Sequence, residues 1–217
     1  MNDRVVIVVG GKIDQGDLEK ILPQDTVIGV DAGVLPLLDA KMPIHLAVGD
    51  FDSVGELVLK DLSDQGVPVK HLPMAKDVTD TYFAVDEALL QSPSELLLLG
   101  ALGGTRIDHA LANLVLLEKI EAAGVKGIIS NHDNNIRLLT AEKGMMTLFK
   151  DQRFRYVSLL ALTDQVEGVT ITGFAYSLTN AILTRVDSLG ISNEQIEAEA
   201  FIQIRSGKLI IIESRDG

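Results

Sequence analysis

The sequence predicts an α/β fold: an N-terminal, mostly parallel sheet covered by helices, followed by a C-terminal all-β sandwich domain. Two textures in one chain carry that expectation. Up to about Asn135, short apolar runs alternate with helix-period segments; after it, strand-like runs follow one another across Gly, Asp and Ser turns with no helix between them. The predicted domains are 1–135 and 136–217, and the polar string SNHDNN places the boundary between Asn131 and Leu139.

In chain order, the short, mainly apolar runs RVVIVV, DTVIGV, HLAV, PVKHL, ELLLL and VKGIIS read as the strands of a parallel sheet covered by helices. Between them, residues 17–22, 35–40, 54–64 and 78–90 read as helices. A further helix is expected after the fifth run, where Ile107, Leu111, Leu114 and Val115 recur at helical offsets. In the second half, 145–149, 156–162, 169–171, 181–186, 198–204 and 208–213 read as short strands. In the fifth of these, Glu199, Phe201 and Gln203 alternate with Ala200, Ile202 and Ile204 as a half-solvated strand would.

Composition narrows the functional class. With 217 residues, 47% of them hydrophobic, the chain can bury a sizeable core. Nineteen basic against thirty-one acidic residues give a net charge of −12, which argues against nucleic acid and against an anionic membrane as partners. A polyphosphate ligand would need a divalent cation to offset that repulsion. The absence of cysteine excludes disulfides, thiolate nucleophiles and Cys-based zinc sites. The start MNDR, followed by the short run from Val5 to Val9, has neither the flanks of a signal peptide nor the length of a membrane span, so a cytoplasmic protein is expected.

The chemistry-bearing residues gather after the predicted strands, where open α/β sheets bind ligands. Asp31 closes the second run in VDAG, Asp50 and Asp52 close the third in GDFDS, and Asp77, Thr79 and Asp80 precede the fourth helix in KDVTD. Asp50 and Asp52, two apart in a turn, can reach one hard cation, and Mg2+ removes the repulsion of clustered carboxylates. The plainer reading of GDFDS is a turn in which Asp52 and Ser53 cap a helix starting near Val54. In KDVTD, Thr79 or Asp77 can cap a helix whose buried stripe is Val78, Tyr82, Val85 and Leu89, leaving Asp80 in the first turn.

The stretch GALGGTRIDHALAN, from Gly100 to Asn113, bends through Gly103 and Gly104 into the fifth helix. Such glycines let backbone N–H groups approach phosphate oxygens, and the helix N-terminus favours an anion. Arg106 supplies a guanidinium for those oxygens, and Asp108 either joins a metal shell or caps. His109 and Asn113 share a helix face; from the residues alone His109 reads as a hydrogen-bonded structural histidine.

Taken together, VDAG, GDFDS, KDxTD, the GG-R-x-DH-x-x-x-N turn and GISNE (from Gly190 to Glu194) resemble thiamin pyrophosphokinase (thiamin diphosphokinase), over essentially the whole chain. The resemblance implies a Mg2+-dependent transferase that moves the terminal diphosphate of ATP to the hydroxyethyl oxygen of thiamin, giving thiamin diphosphate and AMP. It also implies a homodimer with sites between subunits, and a second domain that contributes to thiamin binding and dimerisation.

By position, the resemblance makes Asp50, Asp52 and Asp80 the metal and phosphate-handling carboxylates, with Asp77 and Thr79 beside them. Asp31, Arg106 and Asp108 match nucleotide or phosphate contacts, Gly103, Gly104, His109 and Asn113 belong to the same turn, and Ser192 and Asn193 match the motif near thiamin. A carboxylate, Asp77 or Asp108, is expected to assist deprotonation of the alcohol. Thr105 stands between the glycines and Arg106 where many members have no residue, and the chain has no tryptophan for the thiamin ring. Two other classes compete: a haloacid-dehalogenase-type phosphatase, with Asp50 as nucleophile in DFDSV, and a non-catalytic nucleotide- or thiamin-sensing module.

Overall fold

A computed structural model describes residues 4–52, 54–73 and 77–216. The chain divides into two compact units, Met1–His132 and Asp133–Gly217.

The first unit is built on strands β1 (Arg4–Val8), β2 (Thr26–Val30), β3 (Leu46–Gly49), β4 (Val69–His71), β5 (Glu95–Leu99) and β6 (Lys126–Ser130). They lie in the order β6-β5-β1-β2-β3-β4, and every pairing among them is parallel. From β1 the chain steps outward to β4, then returns to the other side of β1 for β5 and β6. The reversal therefore falls between β1 and β5, the position at which an open α/β sheet leaves a crevice. Val6, Ile7, Val8, Ile28, Leu96, Leu98, Leu99 and Ile129 are fully buried, as their unbroken apolar runs require.

Helices α1 (Gln15–Leu18), α2 (Val34–Asp39), α3 (Glu56–Asp64), α4 (Asp80–Leu89) and α5 (Ile107–Ala122) cover the sheet. The first starts earlier than residues 17–22 predict, because Asp14 and Asp17 close a capping box around its first turn. It also stops earlier, since the Leu22 N–H is taken by Asp25 Oδ2 at 2.7 Å. In α3 the start moves from 54 to Glu56, because Gly55 sits at φ 78°, outside the helical region, and no side chain caps it. Asp52 is therefore not that helix's cap; Ser53, the other expected cap, and Lys76 of KDVTD lie outside the described residues.

In α4 the buried face is Thr81, Ala84, Val85 and Ala88, displaced from the expected stripe: Val78 is exposed and only Val85 of that set is fully buried. The face that packs inward carries the small Thr81, Ala84 and Ala88 side chains, while the larger Tyr82 and Leu89 stand at its edges, half-buried. The α5 helix forms as predicted, but Ile107, Leu111 and Val115 face solvent at 73%, 56% and 50% exposure. Its buried side is Asn113, Leu116, Leu117, Ile120 and Glu121. This face wins because Gly127 of β6 leaves a gap that Leu117 and Ile120 fill: a Cβ there would lie 2.9 and 3.2 Å from their side chains.

The second unit is all antiparallel. Strands β7 (Asn134–Thr140), β8 (Met145–Phe149), β9 (Tyr156–Ala161), β10 (Gln165–Thr172), β11 (Leu178–Thr184), β12 (Asn193–Glu194), β13 (Glu199–Gln203) and β14 (Lys208–Ser214) form two layers. One has the order β12-β9-β14-β7 and the other β11-β10-β13-β8. Leu139, Leu159 and Ile211 from one layer share a core with Leu148, Val169, Ile171, Leu183 and Ile202 from the other. That is a sandwich. In β13, Ala200 and Ile202 are buried while Glu199, Phe201 and Gln203 are exposed, the alternation read from the sequence.

Two strands escape sequence reading. The two-residue β12 is too short to signal itself, and β7 carries Arg137 in its middle. There the guanidinium Nη1 donates to Glu213 Oε2 of β14 at 2.6 Å, so the charge is compensated inside the ladder. Because β7 opens at Asn134, the second unit begins ahead of residue 136.

Candidate active site

The carboxyl ends of β1, β2 and β5 and the N-termini of α4 and α5 enclose a cleft of about 290 Å³. It lies at the β1/β5 reversal. One wall is Val9, Gly10 and Gly11, which continue from β1. The Gly11 N–H donates to the Gly100 carbonyl oxygen at 3.0 Å, and a Cβ on Gly11 would stand 2.1 Å from that oxygen. Only glycine fits. This pair was not among the expected site residues, although VVGG directly after the first strand was the available signal.

The second wall is Asp31, which closes β2 at φ 47°, a left-handed conformation uncommon outside glycine. Its Oδ1 accepts from the Phe51 N–H at 3.3 Å, so the β2 and β3 loops are linked. The third wall is Thr79, Asp80 and Thr81. Thr79 Oγ1 accepts from the Tyr82 N–H at 3.2 Å and caps α4, which puts Asp80 in the first turn facing the cleft.

The fourth wall is the glycine turn. Gly103 and Gly104 have φ of 81° and 86°, so other residues there would be strained. Asn113 is buried, and its Nδ2 donates to the Ala101 carbonyl at 3.0 Å, tying α5 to the turn. His109 is exposed on the same wall, which corrects the expectation of a structural histidine: its face of α5 opens onto the cleft rather than the core. Arg106 and Thr105 also reach the wall. In this state the Arg106 guanidinium forks onto Asp108, with Nε donating to Oδ1 at 3.1 Å and Nη2 to Oδ2. That hydrogen-bonded pair holds the Asp108 carboxyl below its ordinary value and raises Arg106.

Not every expected residue meets here. Among the described residues, Asp50, Asp52, Asp77 and Asp108 are absent from the cleft wall. Asp50 and Asp52 occupy the neighbouring β3 loop, where Asp50 Oδ1 accepts from the Asp52 N–H at 3.3 Å. No three His, Asp or Glu side chains among the described residues form a ready metal cage. The donors nevertheless suit Mg2+, which takes one or two carboxylates and completes its shell with water and substrate phosphates.

In the second unit a separate hollow of about 340 Å³ is lined by Ile171, Tyr176, Leu178, Leu189, Ile191 and Asn193. Asn193 is buried; its Oδ1 accepts from the N–H groups of Tyr176 and Glu194, and its Nδ2 donates to the Tyr176 carbonyl at 2.6 Å. It therefore shapes the hollow by fixing the Tyr176 backbone. Ser192, left-handed at φ 58°, donates its N–H to Ser158 Oγ at 3.0 Å. The Tyr176 side chain is 74% exposed.

The sequence matches two family descriptions, "Thiamin pyrophosphokinase, catalytic domain" over residues 18–129 and "Thiamin pyrophosphokinase, vitamin B1 binding domain" over 146–209. It is 36% identical over 190 residues to the thiamine pyrophosphokinase of Bacillus subtilis (strain 168), covering 87% of each chain. The crystal structure of a Bacillus subtilis thiamine pyrophosphokinase superposes with a TM-score of 0.91 at 33% identity, covering 99% of this chain and 100% of that one. The Geobacillus thermodenitrificans enzyme superposes with a TM-score of 0.87 at 34% identity, covering 99% and 98%. The chain belongs to the thiamin pyrophosphokinase family.

Proposed function

We propose that the protein is a thiamin diphosphokinase, transferring the terminal diphosphate of ATP to the hydroxyl of thiamin and releasing AMP. One observation carries this most directly: the cleft at the β1/β5 reversal, walled by two glycine pairs and two helix N-termini, falls largely in the segment that matches the catalytic domain. Backbone N–H groups and helix dipoles there favour an anion without any covalent nucleophile.

ATP lies with its phosphates against Gly11, Gly103 and Gly104 in this reading, with Asp31 and Thr79 at the edges. Asp50, Asp52 and Asp80 would hold Mg2+, which when bound offsets the charge of the moving diphosphate and favours in-line attack. Arg106 exchanges Asp108 for phosphate oxygens; its fork geometry suits either partner. The proton of the thiamin hydroxyl goes to a carboxylate beside the cleft, Asp77 or Asp108, the latter once Arg106 has turned to the phosphates. Thiamin occupies the hollow of the second unit, where Tyr176 offers an aromatic face to a cationic ring in a chain lacking tryptophan.

The enzyme acts as a cytoplasmic homodimer in this reading. The exposed stripe of Ile107, Leu111 and Val115 beside the cleft supports an apolar contact with a second copy. The cysteine-free sequence supports the compartment, and among the described residues no helix is long and apolar enough to cross a membrane. Nothing favours the phosphatase, whose nucleophile belongs after the first strand, whereas Asp50 follows β3. AMP release with and without thiamin is the test. Thiamin-dependent AMP is expected; phosphate release alone, or binding without product, would overturn the proposal.

A further inference from the structure

Phe51 stands between the two carboxylates of GDFDS and makes no wall of the cleft. It is a bulky residue at φ 57°, where aromatic side chains are genuine outliers, so the surrounding structure must hold it there. Three contacts do so. Its ring is 3% exposed and belongs to the apolar cluster of Val34, Ala47 and Leu62. The ring also meets the His71 imidazole edge-on, with centroids 5.6 Å apart. Its N–H donates to Asp31 Oδ1, a carboxylate that occupies the space a side chain on residue 49 would need: a Cβ on Gly49 would lie 1.8 Å from that oxygen.

The consequence falls on the neighbours. Burying the ring while the backbone turns left-handed leaves Asp50 half-buried and Asp52 exposed, and the Asp52 N–H closes onto Asp50 Oδ1 at 3.3 Å. We propose that Phe51 is a positioning residue: its buried ring and left-handed backbone, latched to Asp31, aim the Asp50 and Asp52 carboxylates. What those carboxylates handle rests on the diphosphotransfer reading; the latch itself does not.

Three variants of the full chain separate the possibilities: Phe51→Ala, Phe51→Leu and Leu62→Ala. Leu62 fills the same apolar cluster without touching the loop's hydrogen bonds, so it reports general destabilisation. Amide exchange of Phe51 and Asp52, read by NMR without turnover, should speed up in Phe51→Ala and stay near wild type in Leu62→Ala. In assays, Phe51→Ala should lower kcat on the order of 10²-fold, the cost of misplacing reacting groups by about 1 Å. It should also raise the half-saturating Mg2+ concentration and leave the KM for thiamin unchanged. Phe51→Leu should recover much of the loss, and Leu62→Ala should lower Tm without moving the Mg2+ dependence. Wild-type exchange of both amides in Phe51→Ala, or parallel losses in Phe51→Ala and Leu62→Ala, would overturn the proposal. Failure of the wild type to release AMP with thiamin would instead strike the assigned reaction, leaving the amide readout to decide the latch.

Discussion

Gly11→Ala isolates the glycine pair that sequence reading passed over. The added Cβ would sit 2.1 Å from the Gly100 carbonyl oxygen and 3.3 Å from that of Leu102, against ordinary contacts of 3.4–4 Å. Both obstacles are backbone, so no rotamer change relieves them. The β1 and β5 loops must part by roughly 1 Å, which weakens the hydrogen bond from Gly11 to Gly100 and opens the cleft at its centre. Forced overpacking of this kind costs about 1–3 kcal/mol. In a chain of this size each kcal/mol lowers Tm by about 2–4 °C. Misplacement on the same scale should cut thiamin-dependent AMP release on the order of 10²-fold. Gly10→Ala is the matched control, because its Cβ would meet Ala32 with the methyl at 3.1 Å and backbone atoms no nearer than 3.6 Å, a crowding that a small shift relieves. Thermal melts and initial rates on both variants make the comparison. A Gly11→Ala protein with wild-type Tm and rate, or a Gly10→Ala protein equally damaged, would refute the idea that close backbone approach at residue 11 builds the cleft.

Replacing Arg106 by Lys keeps the charge but loses the fork, so kcat/KM for ATP should fall on the order of 10²-fold with Tm unchanged; a lysine enzyme within a few fold of wild type would remove the bidentate role. Asn193→Ala strips the Tyr176 backbone of its partners in a buried position. It should cost about 1–3 kcal/mol by denaturant unfolding and raise the KM for thiamin more than that for ATP. Arg137→Met leaves Glu213, whose side chain is 5% exposed, without its cation, and should destabilise the protein by about 3 kcal/mol, while the double change with Glu213→Met should recover much of it.

The parallel sheet was legible because its central strands β1, β2 and β5 are buried after their first residue, so runs such as LLLL carry no polar interruption. Where a polar residue enters a strand, the signal fails: Arg137 makes β7 unreadable, and the residue that permits it, Glu213, lies on the last strand of the chain. Periodicity in α5 identified a helix but chose the wrong face. Apolar spacing cannot know that Gly127 offers a gap to Leu117 and Ile120, or that Asn113 has a carbonyl waiting at Ala101. The same limit applies at the site. Side-chain chemistry pointed to Asp31, Asp80 and Arg106, which do line one cleft. Gly11 works by having no side chain, and its necessity appears only when the β1 and β5 loops are seen side by side.

The resting contact of Arg106 bears on how an acidic protein admits a polyphosphate. The cleft wall carries Asp31 and Asp80, and among the described residues its one arginine is Arg106, whose guanidinium is already engaged with Asp108. Both partners are well exposed, at 67% and 60% of their side-chain surface, so the pair is screened by water and worth little as stability. Exchanging a carboxylate for phosphate oxygens then costs little, since the fork keeps two charge-assisted hydrogen bonds in either state. The exchange also frees Asp108, restoring a negative charge next to the incoming anion, which a divalent cation carried by the substrate would have to offset. On the proposed function, the pairing would favour a cation-bound nucleotide over the bare anion. Removing Asp108 should weaken that preference: Asp108→Ala should bind metal-free ATP more tightly than the wild type does, and titrations of both proteins with ATP in EDTA check it. Equal affinities would show that the Arg106–Asp108 contact has no part in selecting the substrate's charge state.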